Sequence, residues 1–158
     1  MSWYYEIVAP GFKYNLTDIA AALGIHQLKR LPGFQIRREQ IAQAYNTAFA
    51  DLPLVLPPQA IEGDVHSWHL YVLRLGDDCD MARDVFIERM YAAGIGCSVH
   101  YIPLHLHPYW RERYGLTPEQ FPHSQKAYER MVSIPLYTAM SDENVQRVTA
   151  AVRGILIG

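Results

Sequence analysis

Cysteine is scarce: Cys79 and Cys97 are the two thiols in 158 residues, and they form no CxxC or paired-CxxC pattern. A disulfide-stapled scaffold is therefore excluded, and the two read as free thiols of a reducing compartment. Lysine is scarcer than its chemistry would invite, with only Lys13, Lys29 and Lys126 to serve as an amine nucleophile. No excess of positive charge exists either: 14 Lys plus Arg stand against 16 Asp plus Glu, a net charge of −2. That balance offers no sequence-independent grip on a polyphosphate backbone, so nucleic acid is not an expected partner. The longest apolar runs, such as Ile19 to Leu23, fall far short of the roughly 18 residues that cross a bilayer. The first residues carry no cationic stretch leading into an apolar core, so no signal peptide is expected. Gly-x-Ser-x-Gly and the glycine spacing of a phosphate loop are also missing. What remains is a chain 50% apolar with 19 aromatic residues (Phe 5, Trp 3, Tyr 11), ten Gly and ten Pro. A chain of this size forms one domain and buries about 68–70% of its unfolded surface.

The periodicities predict an α+β layer. Trp3, Tyr4, Tyr5, Ile7 and Val8 read as an extended apolar segment that packs on other structure, ending in Ala9-Pro10-Gly11. From Thr17 the period becomes 3.6, with Ile19, Leu23, Leu28 and Leu31 beside the small residues Ala20 to Ala22. Thr17 or Asn15 is its N-cap, Asp18 sits in the first turn, and Leu31-Pro32-Gly33 breaks it. A second helix carries Ile36, Ile41, Ala44, Tyr45 and Ala48 and ends near Asp51-Leu52-Pro53. Residues 53–64 read as an irregular connection. Ser67 to Leu75 alternates like a central strand. Asp80 caps a helix that ends at a left-handed Gly94, and Ile95 to Tyr101 is a second strand. A short helix is expected at Tyr109 to Tyr114 within the loop 102–122, and another from Ser124 to Met131. Val132 to Leu136 forms a third strand, and Ser141 caps a last helix with the stripe Val145, Val148, Ala151, Val152 and Ile155. Together these give a three-stranded sheet covered by helices, with no internal repeat.

Two stretches could carry chemistry. Gly11-Phe12-Lys13-Tyr14-Asn15-Leu16-Thr17-Asp18 is a turn running into a helix N-terminus, where exposed N–H groups, the Lys13 ammonium and the Asn15 amide suit an anion such as phosphate. An ordinary capped turn with Lys13 in solvent accounts for the same spacing. Val99-His100-Tyr101-Ile102-Pro103-Leu104-His105-Leu106-His107-Pro108-Tyr109 places three imidazoles within eight residues. His100, His105, His107 and Cys97 offer zinc ligands by type, but their spacing matches no common zinc pattern. Hydrogen bonding or stacking of a polar organic ligand by His100 and Tyr101 suits their apolar bodies and polar tips better. Histidines packed in a rigid loop are the competing account. His66-Ser67-Trp68-His69 reads as a partly buried strand start. Neither cysteine has an activating context, since the carboxylates around Cys79 disfavour a thiolate, so no catalytic residue is assigned.

Several segments together resemble the C-terminal part of the DegT/DnrJ/StrS family of pyridoxal-phosphate-dependent sugar-nucleotide aminotransferases. They are Pro10-Gly11-Phe12-Lys13-Tyr14-Asn15-Leu16-Thr17-Asp18-Ile19-Ala20-Ala21-Ala22-Leu23-Gly24 followed by Gln27-Leu28, His66-Ser67-Trp68-His69-Leu70-Tyr71, Gly94-Ile95-Gly96 leading to His100-Tyr101-Ile102-Pro103-Leu104-His105, and Ser133-Ile134-Pro135-Leu136-Tyr137. The Gly-Phe-Lys-Tyr-Asn-Leu-Thr-Asp form is most similar to the branch that makes 4-amino-4-deoxy-arabinose. The resemblance implies the small C-terminal domain of fold-type I transferases, with a mainly antiparallel sheet. Residues 1–16 are then an extended leading segment and turn, residues 17–158 the small domain, and the large cofactor-binding domain is not among them.

The resemblance further implies amino transfer, typically from glutamate, to a nucleotide-linked keto-sugar in cell-surface polysaccharide or lipopolysaccharide synthesis, in the cytoplasm. The cofactor supplies the electron sink and the protein the positioning. In the family the Schiff-base lysine lies in the large domain, so this chain is expected to be catalytically incomplete and not to hold pyridoxal phosphate alone. The turn at Asn15 and Lys13 is expected to reach the cofactor phosphate across a dimer interface, and His100, Tyr101 and His105 to meet the nucleotide-sugar. A homo-oligomer formed through the exposed N-terminal segment follows. A non-catalytic sugar-nucleotide-binding or interaction module is the alternative.

Overall fold

The computed structural model describes Tyr4 and residues 6–158, so the expected strand character of Trp3 and Tyr5 lies outside the described residues. The chain divides into two compact units, Met1–Gly33 and Phe34–Gly158. In the first, residues 6–17 carry no helix or strand. Helix α1 (Asp18–Ala48) begins where Thr17 acts as the cap: Ala20 N–H donates to Thr17 Oγ1 (3.3 Å) and Ala21 N–H to the Thr17 carbonyl (2.9 Å). Asp18 favours this end by its charge. The apolar residues of the segment stay exposed, among them Ile7, Val8, Phe12, Ile19, Leu23 and Leu28.

The expected break at Pro32 does not occur, because α1 continues through it to Ala48. A proline inside a helix removes one donor and crowds the carbonyl four residues back, which costs stability without obliging the chain to leave the helix. Beyond Gly33 the helix buries Ile41, Ala42 and Tyr45, and Phe49 follows just after its end.

Within the second unit the sheet has the order β1-β2-β3, all antiparallel, with β1 at Leu54–Val55, β2 at Tyr71–Leu75 and β3 at Met131–Ile134. Three strands were expected, but their membership differs. Residues 95–101, expected as a strand, make only the single bridge Ser98–Ser133, while Leu54–Val55, read as connection, pairs with β2. β2 is central as expected but starts at Tyr71, because Trp68 adopts φ +45° and turns the chain out of extended geometry. Trp68 is 1% exposed, its indole Nε1–H donates to Glu39 Oε2 at 2.7 Å, and its backbone N–H donates to His66 Nδ1 at 3.0 Å.

Tyr71, Leu73 and Leu75 alternate into the core, where Tyr45, Phe49, Phe86, Met90, Val132 and Val152 meet them. The aromatic centre is tight: Tyr45 stacks on Phe49 at 5.5 Å and meets Tyr71 edge-on at 5.0 Å. Burial pushes the Tyr45 and Tyr71 hydroxyls above the usual phenol range. Helix α2 (Arg83–Ala92) starts after Ala82, not at Asp80, and no side chain caps it. Gly94 takes the expected left-handed geometry at φ +73°. Helices α3 (Pro108–Tyr114) and α4 (Pro122–Arg130) follow, and α5 (Asp142–Ile157) opens with Ser141 Oγ accepting from Asn144 N–H at 3.2 Å.

Two arginines of α5 close other helices. Arg153 donates to the Ala48 carbonyl at 2.6 Å and chelates Asp51 at 2.6 and 2.8 Å, supplying the cation that the last turn of α1 lacks. Arg147 donates to the Gly94 carbonyl at 2.8 Å, and a Cβ at Gly94 would lie 2.5 Å from its guanidinium. The opposite face of the sheet carries Val72 and Arg74, where Ala127 of α4 and Met131 help to line a cleft of about 440 Å3. None of the described helices is long and apolar enough to cross a membrane.

Candidate functional site

Lys13 and Asn15 lie in the first unit, His100, Tyr101 and His105 in the second. Because Thr17 supplies the cap of α1, the Asn15 amide is not consumed by it. Both Asn15 and Lys13 are exposed and form no hydrogen bond or ion pair with another described residue. A free amide and a free ammonium two residues apart, just ahead of a helix N-terminus, are the donors an anion takes.

In the second unit Gly94 ends α2, and the following segment is tied to β3 by reciprocal backbone bonds: Ser98 N–H to the Ser133 carbonyl (3.0 Å) and Ser133 N–H to the Ser98 carbonyl (2.7 Å). Two residues on, His100 Nδ1 lies 2.8 Å from Ser133 Oγ. Ser133 stands directly opposite Val72 in the β2–β3 register, so its side chain shares the Val72 face and not that of Tyr71 and Leu73. The Tyr101 ring meets the half-buried imidazole edge-on at 4.9 Å and is itself 74% exposed. His100 and Tyr101 thus come together, the imidazole tied to Ser133 through Nδ1 and the Tyr101 side chain largely exposed.

A serine hydroxyl within hydrogen-bond reach of an imidazole is also the geometry of an activated nucleophile. Here Ser133 is 5% exposed, held between Val72 of β2 and the bridging Ser98, and the imidazole meets it through Nδ1. A substrate therefore cannot reach Oγ, and the pair positions the ring instead.

His105 is the third residue expected to meet a ligand. It is 4% exposed, stacks on Phe121 at 5.0 Å, and lies 2.9 Å from Gln125 Oε1, whose amide donates to Glu129 at 2.7 Å. An imidazole closed off in this way anchors the loop to α4. His107 Nε2 donates to the Ile102 carbonyl at 3.2 Å. Each imidazole of the stretch has its own separate partner, and among the described residues no group of three or more His, Cys, Asp and Glu is placed to hold a metal ion. Cys79 and Cys97 are free, and burial pushes the Cys97 thiol up to about 11, which keeps it un-ionised and unreactive near neutral pH.

The three lysines do not assemble a pyridoxal site. Lys13 and Lys29 are exposed, and Lys126 is exposed and bound to Asp77 at 2.7 Å. An aldehyde cofactor needs an amine within a closed pocket that also holds its ring and phosphate. These residues do not fit that demand.

Ser133 was not singled out from the sequence, where it reads as one residue of a short strand. A lone hydroxyl in the run Met131-Val132-Ser133-Ile134 was the available signal, because a buried serine needs a partner.

The second unit is thus a three-stranded antiparallel sheet packed with helices and carrying the His100–Tyr101 pair, and the first a turn with exposed donors ahead of a helix N-terminus, an architecture met in aminotransferases. Solved structures share this fold. TlmJ, an aminotransferase from Streptoalloteichus hindustanus, is 32% identical at a TM-score of 0.76, covering 97% of this chain and 40% of its own. PseC of Helicobacter pylori, an aminotransferase involved in the biosynthesis of pseudoaminic acid, is 25% identical at a TM-score of 0.81, covering 98% and 41%. Residues 1–153 match the DegT/DnrJ/EryC1/StrS aminotransferase family, and the chain belongs to it. The spore coat polysaccharide biosynthesis protein SpsC of Bacillus subtilis is 45% identical over 159 aligned residues, covering 99% of this chain. The chain spans about two fifths of the length of the curated relatives it matches.

Proposed function

We propose that this chain is the C-terminal small domain of a pyridoxal-phosphate-dependent aminotransferase that acts on a nucleotide-linked keto-sugar, with glutamate as amino donor, in the cytoplasmic synthesis of a polysaccharide sugar. Alone it is catalytically incomplete. Its own residues contribute binding: Asn15 first and Lys13 second hold the cofactor phosphate of a neighbouring subunit, and His100 and Tyr101 hold the sugar-nucleotide. His105 serves that contact indirectly by anchoring the loop. The carrying observation is the His100–Tyr101 pair, its imidazole bonded to a buried serine and its tyrosine largely exposed.

The apolar surface of residues 7–28 supports association of this chain with copies of itself through its N-terminal segment. A chimera that joins this chain to the portion of SpsC it does not match tests the reading. It is expected to bind pyridoxal phosphate and aminate a nucleotide-linked keto-sugar, while the isolated chain yields no amino sugar. A folded, cofactor-loaded chimera without amino transfer contradicts the reading.

The second reading, a non-catalytic sugar-nucleotide-binding module, draws on the fact that every brace of His100 lies within the compact unit Phe34–Gly158. Tight, competable binding of a nucleotide sugar by the isolated chain favours it.

A further inference from the structure

We propose that Ser133 is a positioning residue that fixes the His100 imidazole as its Nε2–H tautomer, so that the ring presents a hydrogen-bond donor and selects an acceptor oxygen on the bound sugar. The ligand half of this rests on reading His100 as a substrate contact.

Ser133 has little freedom. Its backbone N–H and carbonyl are both spent on Ser98, its Cα is in register with Val72 of β2, and its residue is 5% exposed. A hydroxyl in that position carries one proton, and a buried donor without an acceptor is costly. Among the described residues, His100 Nδ1 at 2.8 Å is the partner of that hydroxyl. Two arrangements satisfy the distance. If Nδ1–H donates to Oγ, the hydroxyl proton is left without an acceptor inside the protein. If the hydroxyl donates to a bare Nδ1, both groups are satisfied and the imidazole proton must sit on Nε2.

The second arrangement is the one the burial of Ser133 selects. The Tyr101 ring packs edge-on against the imidazole at 4.9 Å and an interplanar angle of 88°, and Nε2, on a half-buried residue, is neither bonded to a described residue nor fully buried. A group met there must accept a hydrogen bond. A ligand presenting only a donor, such as an ammonium, is rejected. This is a hold on orientation and selectivity, exerted through His100, and Ser133 touches no ligand.

The test uses the 158-residue chain with 15N-labelled histidine at about pH 8, above the ordinary imidazole range. Long-range 15N–1H correlation spectra read which ring nitrogen is bare, and His100→Gln assigns the signal among the seven histidines. The expected wild-type spectrum has a bare, hydrogen-bonded Nδ1 and a protonated Nε2. Ser133→Ala is expected to move the Nδ1 resonance and mix the tautomers while the other six imidazoles stay in place, and Ser133→Thr, which keeps the hydroxyl, to restore the pattern. A protonated Nδ1 in the wild-type chain, or a folded Ser133→Ala with an unchanged His100 spectrum, overturns the tautomer assignment. If Ser133→Ala does not fold, the wild-type and Ser133→Thr spectra decide by themselves. A bare Nδ1 alongside sugar affinity in the chimera that ignores His100→Ala overturns the ligand half together with the substrate reading.

Discussion

Tyr71→Phe isolates one buried hydrogen bond in the strand that holds Ser133 in register. The Tyr71 ring is fully buried against Tyr45, Phe49 and Trp68, and its hydroxyl donates to Asn46 Oδ1 at 2.7 Å. Phenylalanine keeps the ring and removes only that donor. Asn46 Nδ2 is itself buried without a partner, so the substitution leaves the amide with no hydrogen bond. An abandoned buried acceptor costs about 1–3 kcal/mol. At roughly 2–4 °C per kcal/mol for a chain of this size, a loss of about 2 kcal/mol lowers the Tm by about 4–8 °C. Replacing both partners with apolar groups, Tyr71→Phe with Asn46→Leu, recovers most of the loss, since no polar group is then stranded. Denaturant unfolding with an unchanged slope, combined as a double-mutant cycle, measures both effects. A Tyr71→Phe chain within about 0.5 kcal/mol of wild type, below the range for a stranded acceptor, refutes the reasoning. So does a double variant as destabilised as the sum of the singles.

Acid and self-association supply two further tests. Arg153 holds the Asp51 carboxyl down to about 2 from its ordinary 3.8, so the stability this pair contributes is fully present above about pH 4 and is lost as pH falls through 2. Asp51→Asn is therefore expected to lose less stability than wild type between pH 5 and pH 2 in thermal melts, and an equal loss counts against the pair. Leu23→Glu with Leu28→Glu is expected to convert a self-associating chain to monomer by light scattering, because both side chains lie on the exposed apolar surface. A wild-type chain that is strictly monomeric at high concentration removes that interface.

Much of this architecture is legible without coordinates, and the failures share a cause. Helical stripes such as Val145, Val148 and Val152 are set by local periodicity, which the residues themselves carry. Strand membership is not local. Leu54–Val55 becomes a strand only because Leu75 and Arg74 lie opposite, and the apolar run from Ile95 remains outside the sheet except at Ser98. Pro32 misleads for a related reason, since a proline's cost is weighed against everything that keeps the helix intact. At the site, His100 and Tyr101 stand out by residue type, but the same composition marks His105, which burial against Phe121 and Gln125 withdraws from the surface. Ser133 stands in the sequence as one residue of a short apolar run, and its partner shows only once the fold sets it beside His100.

In the proposed function the turn at residues 13–15 serves the cofactor and the His100–Tyr101 pair the sugar nucleotide, and steady-state kinetics of the SpsC chimera separate the two. Asn15→Ala is expected to weaken pyridoxal phosphate binding about tenfold or more, the loss of one charge-assisted hydrogen bond, with the KM for the sugar nucleotide unchanged. His100→Ala is expected to raise that KM by a similar factor with cofactor binding unchanged. Variants that move both constants together, or neither, contradict the account.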